Sequence, residues 1–201
     1  MKTFIISDTH NKHKETFFDQ TADLLIHTGD FLGENKKQEK QFKDFTDFIK
    51  DLDYDNKIII PGNHDYFVIQ NPNRAKEICE NKNINLLINE YIEIEDILFY
   101  GLGFVENKKK SNKLEYFNKY KERYDIIDNC DCLLTHIPPY QILDINFKES
   151  NEGSELLRKT INKIQPKYHF FGHIHEARGI LKNNKTTFIN SSTKGYLIDL
   201  T

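Results

Sequence analysis

The sequence predicts an α/β fold, a four-layer αββα sandwich of two mixed β-sheets flanked by helices, in one domain covering residues 1–201. Three observations predict it. Five short apolar runs are nearly continuous rather than alternating, as strands buried on both faces are. Amphipathic stretches of helical spacing fall between some of them. Further alternating or turn-bounded runs supply enough strands for a second sheet.

In chain order, the buried runs are 2–6, ending at Ser7-Asp8, and 23–27, ending at Thr28-Gly29-Asp30. Next come 57–60, ending at Pro61-Gly62-Asn63-His64-Asp65, then 132–135, ending at His136, and 168–171, ending at Gly172-His173. Phe42, Phe45, Phe48, Ile49 and Leu52 recur at three- and four-residue steps, as do Leu156, Leu157, Ile161 and Ile164, so both sets read as helices packed on a sheet. The runs 91–94 and 97–100 read as a strand pair. Three more strand candidates follow at 177–182, 186–190 and 195–199, the first two joined by a turn containing Asn183-Asn184.

The bulk numbers narrow the function classes. Apolar residues make up 38% and charged residues 29% of the chain, and the net charge of −3 offers no field for gripping a nucleic-acid duplex. No apolar run approaches the roughly 20 residues that span a bilayer. The chain begins Lys2-Thr-Phe-Ile-Ile6 with no leader pattern, so a cytoplasmic protein without a membrane partner is expected. Cys79, Cys130 and Cys132 fit neither a disulfide framework nor a zinc ribbon and read as reduced thiols. Cys130 and Cys132 alternate in an apparent strand and are expected on one face. The Lys- and Asn-rich stretch 106–113 reads as a solvated loop.

Every buried run ends in a metal-ligand type: Asp8 and His10, Asp30, Asn63 and His64, His136, then His173 and His175. Ligands just past the carboxyl ends of buried strands converge on one sheet edge, where α/β folds place their sites. Asp8-x-His10 and His173-x-His175 are expected to be extended, with both donors of each pair on one side. Gly29, Pro61, Gly62 and Gly172 punctuate the same places and let the chain turn beside the ions. Imidazole, carboxylate and one amide favour first-row metals, manganese first, with iron, zinc, nickel or cobalt as alternatives. The ligands are too many for one ion; two divalent ions sharing a carboxylate account for them.

Asp8-x-His10, Gly29-Asp30, Gly62-Asn-His-Asp65, His136 and Gly172-His-x-His175 resemble, in order and spacing, the five blocks of calcineurin-like metallophosphoesterases. The resemblance implies that fold and a binuclear centre. Asp8, His10 and His175 would bind the first metal; Asn63, His136 and His173 the second. Asp30 would bridge them, and His64 would stand clear as general acid while a metal-bridging hydroxide attacks phosphorus. Thr135-His-Ile-Pro-Pro139, Ile142-Leu-Asp144, Gly153-Ser154, Pro166-x-x-His169, Phe171-Gly-His-Ile-His-Glu176 and Phe188-Ile-Asn-Ser-Ser192 narrow the likeness to the small metallophosphoesterase domain-containing subfamily. Some animal members of that subfamily replace the histidine that here is His173, so this chain should load both metals. The likeness fades between 101 and 125.

Hydrolysis of a small phosphodiester, a cyclic or short nucleotide, is therefore expected. A phosphomonoesterase with the same centre and a non-catalytic metal-binding scaffold are the alternatives. A phosphoprotein phosphatase is disfavoured because Gly29-Asp-Phe-Leu-Gly-Glu34 lacks a Val-Asp-Arg-Gly signature. A repair nuclease is disfavoured because the chain has no room for its extra domains. Asn11, Asn63 and His64 are the candidate substrate contacts. Asp65 reads as a support or cap rather than a ligand. His27 and His169 read as core histidines, and His13 as a surface one. Phe31, Tyr66, Phe67 and Tyr140 read as packing at the site rim rather than as stacking platforms.

Overall fold

The structure, a computed structural model, describes residues 1–16, 18, 21–34, 37–103 and 121–201. The stretch 106–113, expected to be a solvated loop, lies outside them.

Eleven strands among the described residues form two mixed sheets. The first contains β1 (Lys2–Ile6), β2 (Leu24–His27), β3 (Asn56–Ile59), β4 (Asn85–Leu86) and β11 (Tyr196–Asp199) in the order β11-β1-β2-β3-β4. The second has the order β5-β6-β7-β8-β10-β9. Its members are β5 (Glu90–Ile94), β6 (Ile97–Gly101), β7 (Cys132–Leu134), β8 (Tyr168–Phe171), β9 (Gly179–Lys182) and β10 (Thr187–Asn190). Neighbours are parallel in the middle of each sheet, and β11, β5 and β9 pair antiparallel at the edges.

The strand period of two sorts the apolar residues into three cores. Phe4, Ile6, Leu25 and Ile59 point out of the first sheet toward Phe42, Phe45 and Ile49 of α1 (Gln38–Lys50). Ile5, Leu24, Ile26 and Ile58 point the other way and meet Phe99, Cys132, Leu134, Phe170 and Ile189 between the sheets. Leu133, Phe171 and Phe188 pack outward on Leu156, Leu157 and Ile161 of α4 (Glu155–Ile164). These are the four layers that the sequence predicts. The N-terminus of α4 is capped by the Ser154 hydroxyl, which accepts the Leu157 amide at 3.0 Å, a contact usually worth about 1 kcal/mol.

Two expectations need correcting. Cys130 and Cys132 do not share a face: β7 begins at Cys132, so Cys130 precedes the strand and joins the outer core while Cys132 points between the sheets. All three cysteines are free and buried. The sequence pattern also passed over α2 (Tyr66–Gln70) and α3 (Pro72–Glu80). Their apolar periodicity is interrupted at Asn71, where one helix stops, and Pro72 opens the next with its ring preset for a first turn. No helix among the described residues is long and apolar enough to cross a membrane.

Candidate metal centre

The loops after β1, β2, β3, β7 and β8 meet at one edge of the sandwich. The first two are laced together by Asp8 N to Gly29 O at 3.0 Å, His10 N to Asp30 O at 2.9 Å and Asn11 N to Phe31 O at 2.9 Å. Asp65 ties in the third. Fully buried, its carboxylate accepts the amides of Asp30 (2.8 Å), Leu32 (2.9 Å) and Gly62 (2.7 Å), so it serves as a support, in the place the sequence suggests. The His64 amide in turn donates to Asp30 Oδ1 at 2.7 Å.

The Asp-x-His and His-x-His segments are not extended. Asp8, His10, Asn11, Asp30 and His173 all adopt left-handed backbone, with φ between 42° and 72°, and His175 begins a short 3₁₀ turn over His175–Ala177. Non-glycine residues rarely sit there, and such strain gathers at functional sites because the surroundings over-determine it. Here the chain must leave a buried strand and fold its donors back over the sheet edge at once. Gly29 (φ +100°) turns the chain, but Gly62 and Gly172 serve close approach. A Cβ on Gly62 would lie 2.2 Å from Asp30 Oδ1, and one on Gly172 would lie 2.3 Å from Asp8 Oδ2.

Two groups of donors result: Asp8, His10 and His175, and Asp30, His136 and His173, with ligand atoms in each group within 4.8 Å of one another. Asn63 adjoins the second, its Oδ1 lying 3.0 Å from His136 Nε2. Around that nitrogen stand also Asp30 Oδ2 at 3.2 Å and His173 Nδ1 at 3.3 Å. His136 Nδ1 donates to Thr28 O at 2.9 Å, so Nε2 is the nitrogen that would face a cation, in exchange for the proton that Asp30 otherwise holds there. In the first group Asp8 Oδ1 is buried and accepts no hydrogen bond, with His175 Nε2 3.4 Å away. A buried carboxylate oxygen without a donor is costly unless a cation faces it. The donor set thus fits two divalent ions.

The electrostatics agree. Burial would push the Asp8 carboxyl up, but His175 and His136 outweigh it and hold the group well below the usual carboxylate range. Burial alone would pull His136 down; the Asp30 carboxylate beside it instead raises it to about 10. Burial prevails at His173, which falls to about 4, and lowers His10 as well, while contact with Asp8 raises His175. Two ionised carboxylates packed into a sheet edge form a place for positive charge.

His64 belongs to neither group. Its Nε2 lies 3.9 Å from Asp30 Oδ2, its Nδ1 3.1 Å from Glu34 Oε1, and its ring 5.3 Å from that of His10. Asn11 is exposed at the rim beside Gly33. Tyr66 is exposed and Tyr140 half-buried, whereas Phe31 is buried and stacks on Phe45. His27 and His169 are core histidines, hydrogen-bonded to Thr9 Oγ1 at 3.0 Å and Thr135 Oγ1 at 2.8 Å. His13 is not a surface histidine: it is buried against Phe45 and Phe48, with Nε2 3.2 Å from Asp44 Oδ2. Two supports escaped the sequence pattern. Gln38 Nε2 donates to His64 O and Gly33 O, and its Oε1 accepts the Phe67 amide, which braces the His64 loop. Ser192 donates to Asp8 Oδ2 at 2.9 Å. Nothing local marks Gln38, while Ser192 lies in the Phe188–Ser192 motif.

Known proteins resemble this chain in sequence and in fold. The profile of the family described as calcineurin-like phosphoesterase matches residues 1–177. UPF0046 protein K07C11.7 of Caenorhabditis elegans is 32% identical over 213 residues, which cover 96% of this chain and 69% of that protein. Metallophosphoesterase domain-containing protein 1 of Homo sapiens is 30% identical over 220 residues, covering 93% of this chain and 64% of that protein. The chain therefore spans about two thirds of the length of these relatives. TT1561 of Thermus thermophilus has the same fold, with a TM-score of 0.66 at 12% identity over 94% of this chain and 88% of that one.

Proposed function

This chain belongs to the calcineurin-like phosphoesterase family, and we propose that it is a phosphodiesterase that cleaves a small phosphodiester such as a cyclic or short nucleotide. The carrying observation is a histidine, His64, standing beside Asp30 yet outside both donor groups. A diester's leaving alkoxide needs a proton, and an imidazole N–H beside it is suited to give one.

Asp8, His10 and His175 would hold one divalent cation and Asn63, His136 and His173 the other, with Asp30 available to both. Manganese is the first candidate for both. When bound, the pair supplies positive charge to the phosphate oxygens and acidity to a water. His136, with its proton committed to Thr28 O, offers only Nε2 to its cation. His64 offers its Nε2, the nitrogen nearer Asp30, to the leaving oxygen, while the bond from Gln38 to its carbonyl braces the loop that carries it. Asn11 and the Asn63 amide contact the phosphate. The protein acts in the cytoplasm.

The test is turnover of bis-p-nitrophenyl phosphate against p-nitrophenyl phosphate, after chelator stripping and manganese reloading. Faster diester cleavage that chelator abolishes is expected. Faster monoester cleavage would make the enzyme a phosphomonoesterase. No manganese-dependent turnover of either, with no bound metal, would overturn the catalytic assignment in favour of a scaffold.

A further inference from the structure

The motif Phe188-Ile-Asn-Ser-Ser192 lies beyond the residues matched by the family profile, yet its Ser192 reaches Asp8. Here the chain crosses from β10 in the second sheet to β11 in the first, and Ser192 pairs with Ser7, the neighbour of Asp8. Asn190, Ser191 and Ser192 are all 0% exposed, so each of their polar atoms must find a partner inside the protein. Asn190 Nδ2 donates to Ile174 O at 2.9 Å and to Leu143 O at 3.3 Å, and so grips the residue between His173 and His175. Asn190 Oδ1 accepts the Ser192 amide at 3.2 Å.

The Ser192 hydroxyl has one proton and two acceptors within reach, Asp8 Oδ2 at 2.9 Å and Asn190 Oδ1 at 2.8 Å; the ionised carboxylate is the stronger. Asp8 Oδ2 also takes the His173 amide at 3.0 Å. One oxygen of Asp8 is thus fully engaged by backbone and Ser192, while Oδ1, equally buried, has only His175 Nε2 near it, at 3.4 Å.

We propose that Ser192, itself held by Asn190, is a positioning residue that keeps Asp8 a one-oxygen ligand and thereby sets the cation affinity of the Asp8–His10–His175 group. It rests on the assignment of that group as a cation site. With Oδ2 pinned, the carboxylate cannot rotate to chelate through both oxygens, and Oδ1 stays aimed at the side where His175 stands. Without the hydroxyl only the His173 amide fixes the carboxylate. Losing such a support typically weakens metal binding about 10–100-fold.

Manganese titration of the full chain by calorimetry, with bound metal counted by mass spectrometry, tests this on wild type, Ser192→Ala and Ser191→Ala. Ser191 is the control. It is as deeply buried one residue away, but its hydroxyl donates to Phe171 O at 3.2 Å. Wild type should bind two ions; Ser192→Ala should bind one of them about 10–100-fold more weakly and the other unchanged; Ser191→Ala should match wild type. Unchanged affinities in Ser192→Ala, or equal losses in both serine variants, overturn the proposal. A wild-type chain that binds no manganese overturns instead the assignment of the site on which it rests.

Discussion

His136 and His169 stand just past and within neighbouring strands, both buried, and they answer burial in opposite ways. At the ligand edge, the Asp30 carboxylate 3.2 Å away lifts His136 to about 10. Inside the layers, His169 has the rings of Phe171 and Phe188 and one threonine hydroxyl, and burial drops it to about 3. Desolvation acts on both; one close opposite charge reverses its outcome. His27 repeats the interior case: with Thr9 and two phenylalanine rings, it also falls to about 3. At His136 and His169, the group facing the ring decides whether burial raises or lowers the pKa.

The widest separation between the two regions should appear on replacing one histidine from each. His136→Ala should remove one of the two bound metals and cut diester turnover roughly a thousandfold, equivalent to about 4 kcal/mol of lost transition-state stabilisation. His169→Ala should retain metal and turnover while lowering the thermal midpoint. Equal turnover losses from folded protein would erase the distinction. A smaller effect separates residues within the edge itself. His64→Ala should keep both ions but slow diesters with poor leaving groups by about a hundredfold, and p-nitrophenyl esters much less. Uniform slowing across leaving groups would remove His64 as the acid.

Much of this was legible because it is local. A continuous apolar run followed at once by Gly-Asp or Gly-Asn-His can be read from a few residues, and all five such runs became parallel central strands carrying donors at one edge. The C-terminal hairpin was legible for the same reason: Asn183 Oδ1 accepts the amides of Lys185 and Thr186 in the turn. The failures are non-local. His13 is buried by Phe45, Phe48 and Asp44, which lie about thirty residues onward in α1, and no pattern near His13 announces them. The extended form expected of Asp8-x-His10 gave way to left-handed backbone, because spacing in sequence carries no record of the fold-back. Ser192 was visible only as part of a motif; its bond to Asp8 joins residues 184 apart.

Metal removal sharpens the contrast in stability rather than rate. Manganese at a hundred times its dissociation constant should stabilise the folded chain by about 2.7 kcal/mol per site, seen as a rise in the denaturation midpoint. His169→Phe should show the same rise, and His136→Ala a reduced one. A wild-type midpoint indifferent to chelator would break the assignment of the edge as a cation site.

The smallest effect comes from the interior and runs with pH. His169 stays neutral in the fold, its pKa lowered to about 3, but charges near 6.5 once the chain unfolds. Between those values the unfolded chain binds the extra proton, so stability that is whole above pH 6.5 is lost as pH falls toward 3, by up to about 1.4 kcal/mol per unit. Denaturant titrations of chelated protein at pH 7 and pH 5 isolate this from metal loss. Replacing His169 by Phe, an apolar ring beside Phe171 and Phe188 that leaves the Thr135 hydroxyl bonded to Ile137 O, should shrink the difference between the two pH values by about 2 kcal/mol. An undiminished difference would mean that His169 does not carry the slope, and that burial among aromatic rings does not suffice to keep an imidazole neutral here.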